Sequence, residues 1–140
     1  MNCASLPTRA FLSAFLLSAL FAAPGAGQQR ARKAEKPAPD LTAKYGPHER
    51  NVLDLWKAKS ERPTPLVIFI HGGGFRAGDK ANLSPALLRE CLAAGISVVS
   101  ANYRFSSDAP YPASMLDGAR VVQFVRSRAK EWNIDPRRIY

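Results

Sequence analysis

An α/β fold is predicted for this 140-residue chain by three features of its sequence. Two apolar runs, Leu66–Ile70 (LVIFI) and Gly95–Tyr103 (GISVVSANY), show no alternation, as strands of a parallel sheet covered on both faces do not. Helix-compatible segments follow each run, so strands and helices alternate in the manner of right-handed crossovers. There is no internal repeat to indicate another architecture.

Residues 1–27 have the layout of a bacterial-type secretory leader. Arg9 supplies the positive start, Ala10–Ala22 (AFLSAFLLSALFA) an apolar run, and Gly25-Ala26-Gly27 small residues for cleavage. The run is too short to span a bilayer, so no stable membrane anchor is expected; a buried N-terminal helix is the alternative. Export implies a periplasmic or extracellular protein. Cys3 would leave with the leader, and Cys91 alone cannot form an internal disulfide. Residues 28–40 (QQRARKAEKPAPD) mix charge, alanine and two prolines without periodicity, which predicts a mobile linker. Residues 41–140 are left to fold.

A formal charge of +9 would suit an anionic partner. Its distribution argues otherwise: Arg9 is in the leader and Arg30, Arg32, Lys33 and Lys36 are in the linker. The rest are interleaved with Asp54, Glu61, Asp79, Glu90, Asp117 and Glu131, an ordinary solvated surface. Nucleic-acid binding is not expected.

Within the domain, Asn51–Lys59 (NVLDLWKAK) alternates, with Leu53 and Leu55 opposite Asp54, predicting a strand with one covered face. The Gly46-Pro47 turn before it places it in an edge hairpin. After LVIFI, Ser84 is a helix cap, Pro85 suits the first helical position, Leu83 can staple onto Leu88, and Gly95 ends the helix. Cys91 falls on the apolar face with Leu87, Leu88 and Leu92 and reads as a packing thiol. A second helix spans 112–132, its apolar face carried by Met115, Ala119, Val122, Val125, Ala129 and Trp132. Asn133-Ile134-Asp135-Pro136 breaks it, and Arg137-Arg138-Ile139-Tyr140 opens a further strand.

The functional signal is the end of the first apolar run, His71-Gly72-Gly73-Gly74-Phe75. Sites in such sheets lie beyond the carboxyl ends of the strands. Glycines there permit positive φ and let another atom approach the amides without meeting a Cβ. Several N–H groups can then face one anion, either a phosphate or the oxyanion of a tetrahedral intermediate. The phosphate reading lacks support, because neither G-x-x-x-x-G-K-[ST] nor G-x-G-x-x-G occurs and Lys80 has no flanking pattern. A plain turn would not need three glycines in succession.

HGGGF after an apolar strand, then Gly78-Asp79, a helix, and Tyr103-Arg104 with Pro110 and Pro112, resembles the N-terminal half of an α/β-hydrolase. The likeness is to esterases and lipases related to hormone-sensitive lipase and to bacterial acetyl and feruloyl esterases, and covers about residues 41–140. In them the HGGG-type motif is an oxyanion-hole element. The resemblance implies that the Gly73 and Gly74 amides face the substrate carbonyl oxygen, that Gly72 allows the turn, and that His71 is a structural histidine fixing the loop. It implies that Phe75 lines the acyl or alcohol pocket, with packing against the first helix as the alternative. It further implies a partly buried Arg104–Asp117 ion pair ordering the loop that follows, two solvated charges being the alternative. Asp108 reads as a turn residue.

A serine hydrolase also needs a nucleophile, a histidine and an acid. No G-x-S-x-G is present; the nearest string, Gly95–Val99, lacks the second glycine and sits at a strand entrance. His48 belongs to the early hairpin and is expected to be exposed. In the family the nucleophile follows the strand begun by RRIY. The chain is therefore expected to be a truncated, inactive N-terminal part of an exported serine esterase for small ester substrates, with the LVIFI strand exposed as an apolar edge. A non-catalytic hydrolase-fold protein and an anion-binding module are the alternatives. No metal or cofactor is implied: two separated histidines are not a ligand set.

Overall fold

The computed structural model describes residues 35–140. The expected leader, Cys3 and the first part of the expected linker lie outside these residues. Five strands form one mixed sheet: β1 (Leu41–Lys44), β2 (Val52–Trp56), β3 (Thr64–Ile70), β4 (Ser97–Ala101) and β5 (Ile134–Ile139). Their order across the sheet is β1-β2-β4-β3-β5. The β1–β2 and β2–β4 pairs are antiparallel, whereas β4, β3 and β5 run parallel. Helix α1 (Pro85–Ala93) connects β3 to β4, and α2 (Ala113–Trp132) connects β4 to β5.

The helices cover opposite faces. Val99 packs in a cluster with Leu53, Leu55, Leu66 and with Val121, Val125 and Trp132 of α2. The adjacent Val98 packs instead with Trp56, Leu83 and Leu88 on the α1 side, as the period of two in a strand requires. Helix α1 starts as its sequence predicts: the Ser84 hydroxyl accepts from the Leu87 amide, Pro85 is at the first position, and Leu83 and Leu88 are both buried. It stops at Gly95, whose φ is 74°.

Four expectations are corrected. The last residues of the expected linker, though mostly exposed, are hydrogen-bonded to β2: the Asp40 amide donates to Leu55 O, and the Trp56 indole donates to Pro37 O at 2.9 Å. Strand β2 is covered on both faces, and Asp54, expected in solvent, is buried. Its carboxylate accepts from Thr42 Oγ1 and lies 2.6 Å from Lys80 Nζ. The buried stripe of α2 is Ala113, Asp117, Val121, Val125, Ala129 and Trp132; Met115 and Ala119 are exposed, as is Leu87 on α1. Finally, β3 has neighbours on both sides, and the edge strands of the described sheet are β1 and β5. Between the pairs Thr64↔Ile134 and Leu66↔Ile139 the β5 register shifts, leaving Asp135–Arg138 as a bulge in which Asp135 accepts from the Arg137 amide.

Candidate functional site

The chain leaves the sheet at Ile70 and turns through three consecutive positive-φ residues, Gly73 (125°), Gly74 (60°) and Phe75 (61°). Gly72 does not take part: its φ is not positive, and a Cβ there would meet nothing within 4 Å. The turn assigned to Gly72 is therefore made by the next three residues. Gly73 is fixed by space as well as by conformation, since a Cβ would lie 2.0 Å from Ala77 O.

The direction of the amides follows from their carbonyls, because C=O and N–H point opposite ways across a trans peptide. The Gly72 oxygen accepts from His71 Nδ1 at 2.8 Å, which turns the Gly73 N–H away from the buried ring. The Gly73 oxygen accepts from the Arg76 and Ala77 amides, at 3.1 and 3.2 Å, which turns the Gly74 N–H away from the loop interior. Gly72, Gly73 and Gly74 are exposed, and no backbone hydrogen bond among the described residues is donated by their amides.

His71 is the post on which this loop hangs. It is buried at 2% exposure and stacks on Tyr103 at 4.5 Å between centroids. The Tyr103 hydroxyl donates to His71 O at 3.0 Å. Burial pushes the Tyr103 phenol above its ordinary value, while the Arg50 charge works against that rise. Gly78 sits so close to the ring that a Cβ would lie 2.3 Å from His71 Nδ1. Asp79 then ties the loop down, accepting from the Ala81 amide and from Asn102 Nδ2, while Asn102 Oδ1 accepts from the Lys80 amide. Burial would raise the Asp79 pKa, but these hydrogen bonds and neighbouring positive charge hold it below its usual value.

A cavity of about 230 Å³ adjoins the glycine turn, lined by Ile70, Phe75, Tyr103, Met115, Gly118 and Ala119. Phe75 is 45% exposed, meets Tyr103 edge-on at 6.0 Å, and shares the cavity lining with Met115, Gly118 and Ala119 of α2. The cavity wall on α2 is braced by Asp117, fully buried beside Gly118. Arg104 grips its carboxylate with two nitrogens, Nη2–Oδ1 at 2.7 Å and Nε–Oδ2 at 2.8 Å, and its own amide adds a third bond at 3.0 Å. Burial alone would raise the Asp117 pKa; the bonds from Arg104 outweigh it and hold the carboxyl below its ordinary range. The alternative of two solvated charges is excluded by this geometry. Asp108 accepts from the Phe105 amide within its turn.

Other sequence candidates fall away from the site. Lys80 Nζ is engaged by Asp54, which removes it as a phosphate ligand for the glycines. Ser97, the serine of the nearest G-x-S string, is fully buried and bonded to the Ala58 amide and to Thr64 Oγ1. His48 is half-buried, and its Nδ1 accepts from the Arg50 amide. Among the described residues no cluster of three or more His, Cys, Asp or Glu could hold a metal. None of their helices is long and apolar enough to cross a membrane.

Arg50 is the site residue that sequence reasoning missed. It touches Tyr103 O, Gly78 O and His71 Nε2 and lies over the Phe105 ring. The three polar partners are 21 to 53 residues distant in sequence, so no local pattern marks it.

Comparison with known proteins shows the family and the fold. The BD-FAE family model matches residues 53–140. The carboxylesterase NlhH of Mycobacterium tuberculosis is 31% identical over 84% of the chain, which spans 40% of that relative. Among solved structures, a truncated carbohydrate esterase from gut microbiota superposes with a TM-score of 0.65 at 29% identity, over 75% of this chain and 40% of that one. An acetyl ester-xyloside bifunctional hydrolase from Caldicellulosiruptor lactoaceticus shares the fold, with a TM-score of 0.62 at 24% identity, over 73% and 41%. The chain thus spans about 40% of the length of these proteins.

Proposed function

The chain belongs to the BD-FAE family and carries the N-terminal part of an α/β-hydrolase sheet, and from that premise we propose that its full-length protein is an exported serine carboxylic-ester hydrolase. The substrate is a small ester, and the reaction proceeds through an acyl-enzyme. The serine, its histidine and its acid are supplied from outside these residues. What these residues contribute is charge stabilisation: as the serine attacks, the carbonyl oxygen becomes an oxyanion and accepts from the Gly73 and Gly74 amides. A donor of this kind is worth about 10²–10³ in kcat. The cavity beside Phe75 receives an apolar part of the ester.

One observation carries the reading: two exposed amides are turned outward because their partner carbonyls are held inward. Export rests on the apolar run Ala10–Ala22. The test is hydrolysis of p-nitrophenyl acetate by the full-length protein. Saturable turnover above a heat-denatured control is expected; none with any short-chain aryl ester would overturn the proposal.

A further inference from the structure

We propose that Arg50 is a positioning residue for the glycine loop, acting through the tautomer of His71. The Gly72 oxygen can only accept, so the hydrogen of the 2.8 Å contact belongs to His71 Nδ1. A guanidinium can only donate, so Arg50 Nη2, 3.5 Å from His71 Nε2, faces a bare lone pair there. At that distance the hydrogen bond is weak, but a fixed positive charge still disfavours a hydrogen on Nε2. With the Nε2 tautomer, Nδ1 would present a lone pair to the Gly72 oxygen, and two acceptors would face each other. The Gly72–Gly73 peptide would lose the bond that turns its carbonyl inward and its N–H outward.

The guanidinium is itself held in place. Nε donates to Tyr103 O at 2.8 Å, Nη2 to Gly78 O at 3.1 Å, and the group lies 3.6 Å over the Phe105 ring. No carboxylate within salt-bridge distance of Arg50 occurs among the described residues, so its charge faces carbonyls and the imidazole. Arg50 thereby links the end of β4, the Gly78 turn and the histidine. Its kinetic consequence rests on the esterase reading above; its effect on His71 does not.

The test uses the full-length protein and two variants, Arg50→Gln and Arg50→Lys. Histidine ring ¹⁵N NMR at neutral pH, with His71 assigned by its loss in His71→Asn, reads the tautomer. Wild type is expected to carry the hydrogen on Nδ1. In R50Q part of the population moves to Nε2, kcat for p-nitrophenyl acetate falls about tenfold, and KM changes less than twofold. R50K keeps the charge and is expected to restore the Nδ1 signature and most of kcat.

A wild-type His71 with its hydrogen on Nε2 overturns the proposal outright, as does an R50Q protein with an unchanged tautomer and kcat within twofold. If R50Q does not fold, R50K decides: a folded R50K with the hydrogen moved to Nε2 overturns the proposal, and a retained Nδ1 hydrogen supports it. If wild type has no esterase activity, the functional reading fails, while the tautomer shift in R50Q still decides the role of Arg50.

Discussion

At the scale of single residues, the three glycines of the motif are unequal, and that inequality is measurable. An alanine at Gly73 would place a carbon 2.0 Å from Ala77 O at a φ that L-residues rarely adopt, so G73A is expected to lose about 3 kcal/mol or more. An alanine at Gly72 meets open space at negative φ, so G72A is expected to stay within about 0.5 kcal/mol of wild type. Urea denaturation of the two variants of the full-length protein checks the contrast. Asp117 gives a second prediction. Its pKa is lower folded than unfolded, so its contribution to stability is complete above the ordinary carboxylate pKa of ~3.9 and is lost as pH falls through the lowered folded pKa. Asp117→Asn, which leaves Arg104 without its counter-charge, should cost about 3–5 kcal/mol at pH 7. It should also flatten the fall in urea midpoint between about pH 5 and pH 3. The site was partly legible from residue types alone: histidine, glycines, Arg104 and Asp117 stand in recognisable order along the chain. Arg50 was not, because its role exists only once β2, β3 and β4 lie side by side.

At the scale of elements, what could be read depended on how local the governing interaction is. The Ser84 cap, Pro85 and the Leu83–Leu88 staple act within a single turn, and α1 begins where they place it. Ser84→Ala is expected to cost about 1 kcal/mol, read from the shift in urea midpoint. The phase of α2 is hidden from a count of apolar side chains because a carboxylate, Asp117, occupies a core position. Its partner Arg104 lies in the preceding loop. Strand β2 differs for the same reason: alternation assigns Asp54 to solvent, whereas Lys80 neutralises it and Thr42 donates to it under cover. The fully buried stripe of α2 should respond as a core, so Val125→Ala is expected to lose about 2–4 kcal/mol.

At the scale of the whole molecule, the parallel order β4-β3-β5 sets the ends of β3 and β4 next to one another, and both loops that build the site emerge there. That order follows from short crossovers with helices on opposite faces. That β3 is an interior strand is not legible in the sequence, since pairing of β5 with β3 depends on a bulge that no pattern in Ile134–Ile139 announces. Residues 1–140 on their own hold no G-x-S-x-G, so they are expected to hydrolyse p-nitrophenyl acetate no faster than a denatured control. The central claim is that the Gly73 and Gly74 amides receive the charge formed on the ester carbonyl. Its most direct test is a crystal structure of the full-length protein after reaction with an aryl phosphonate that mimics the tetrahedral intermediate. The account predicts the phosphonyl oxygen about 2.7–3.1 Å from both amide nitrogens; a phosphonyl oxygen directed away from both would contradict it.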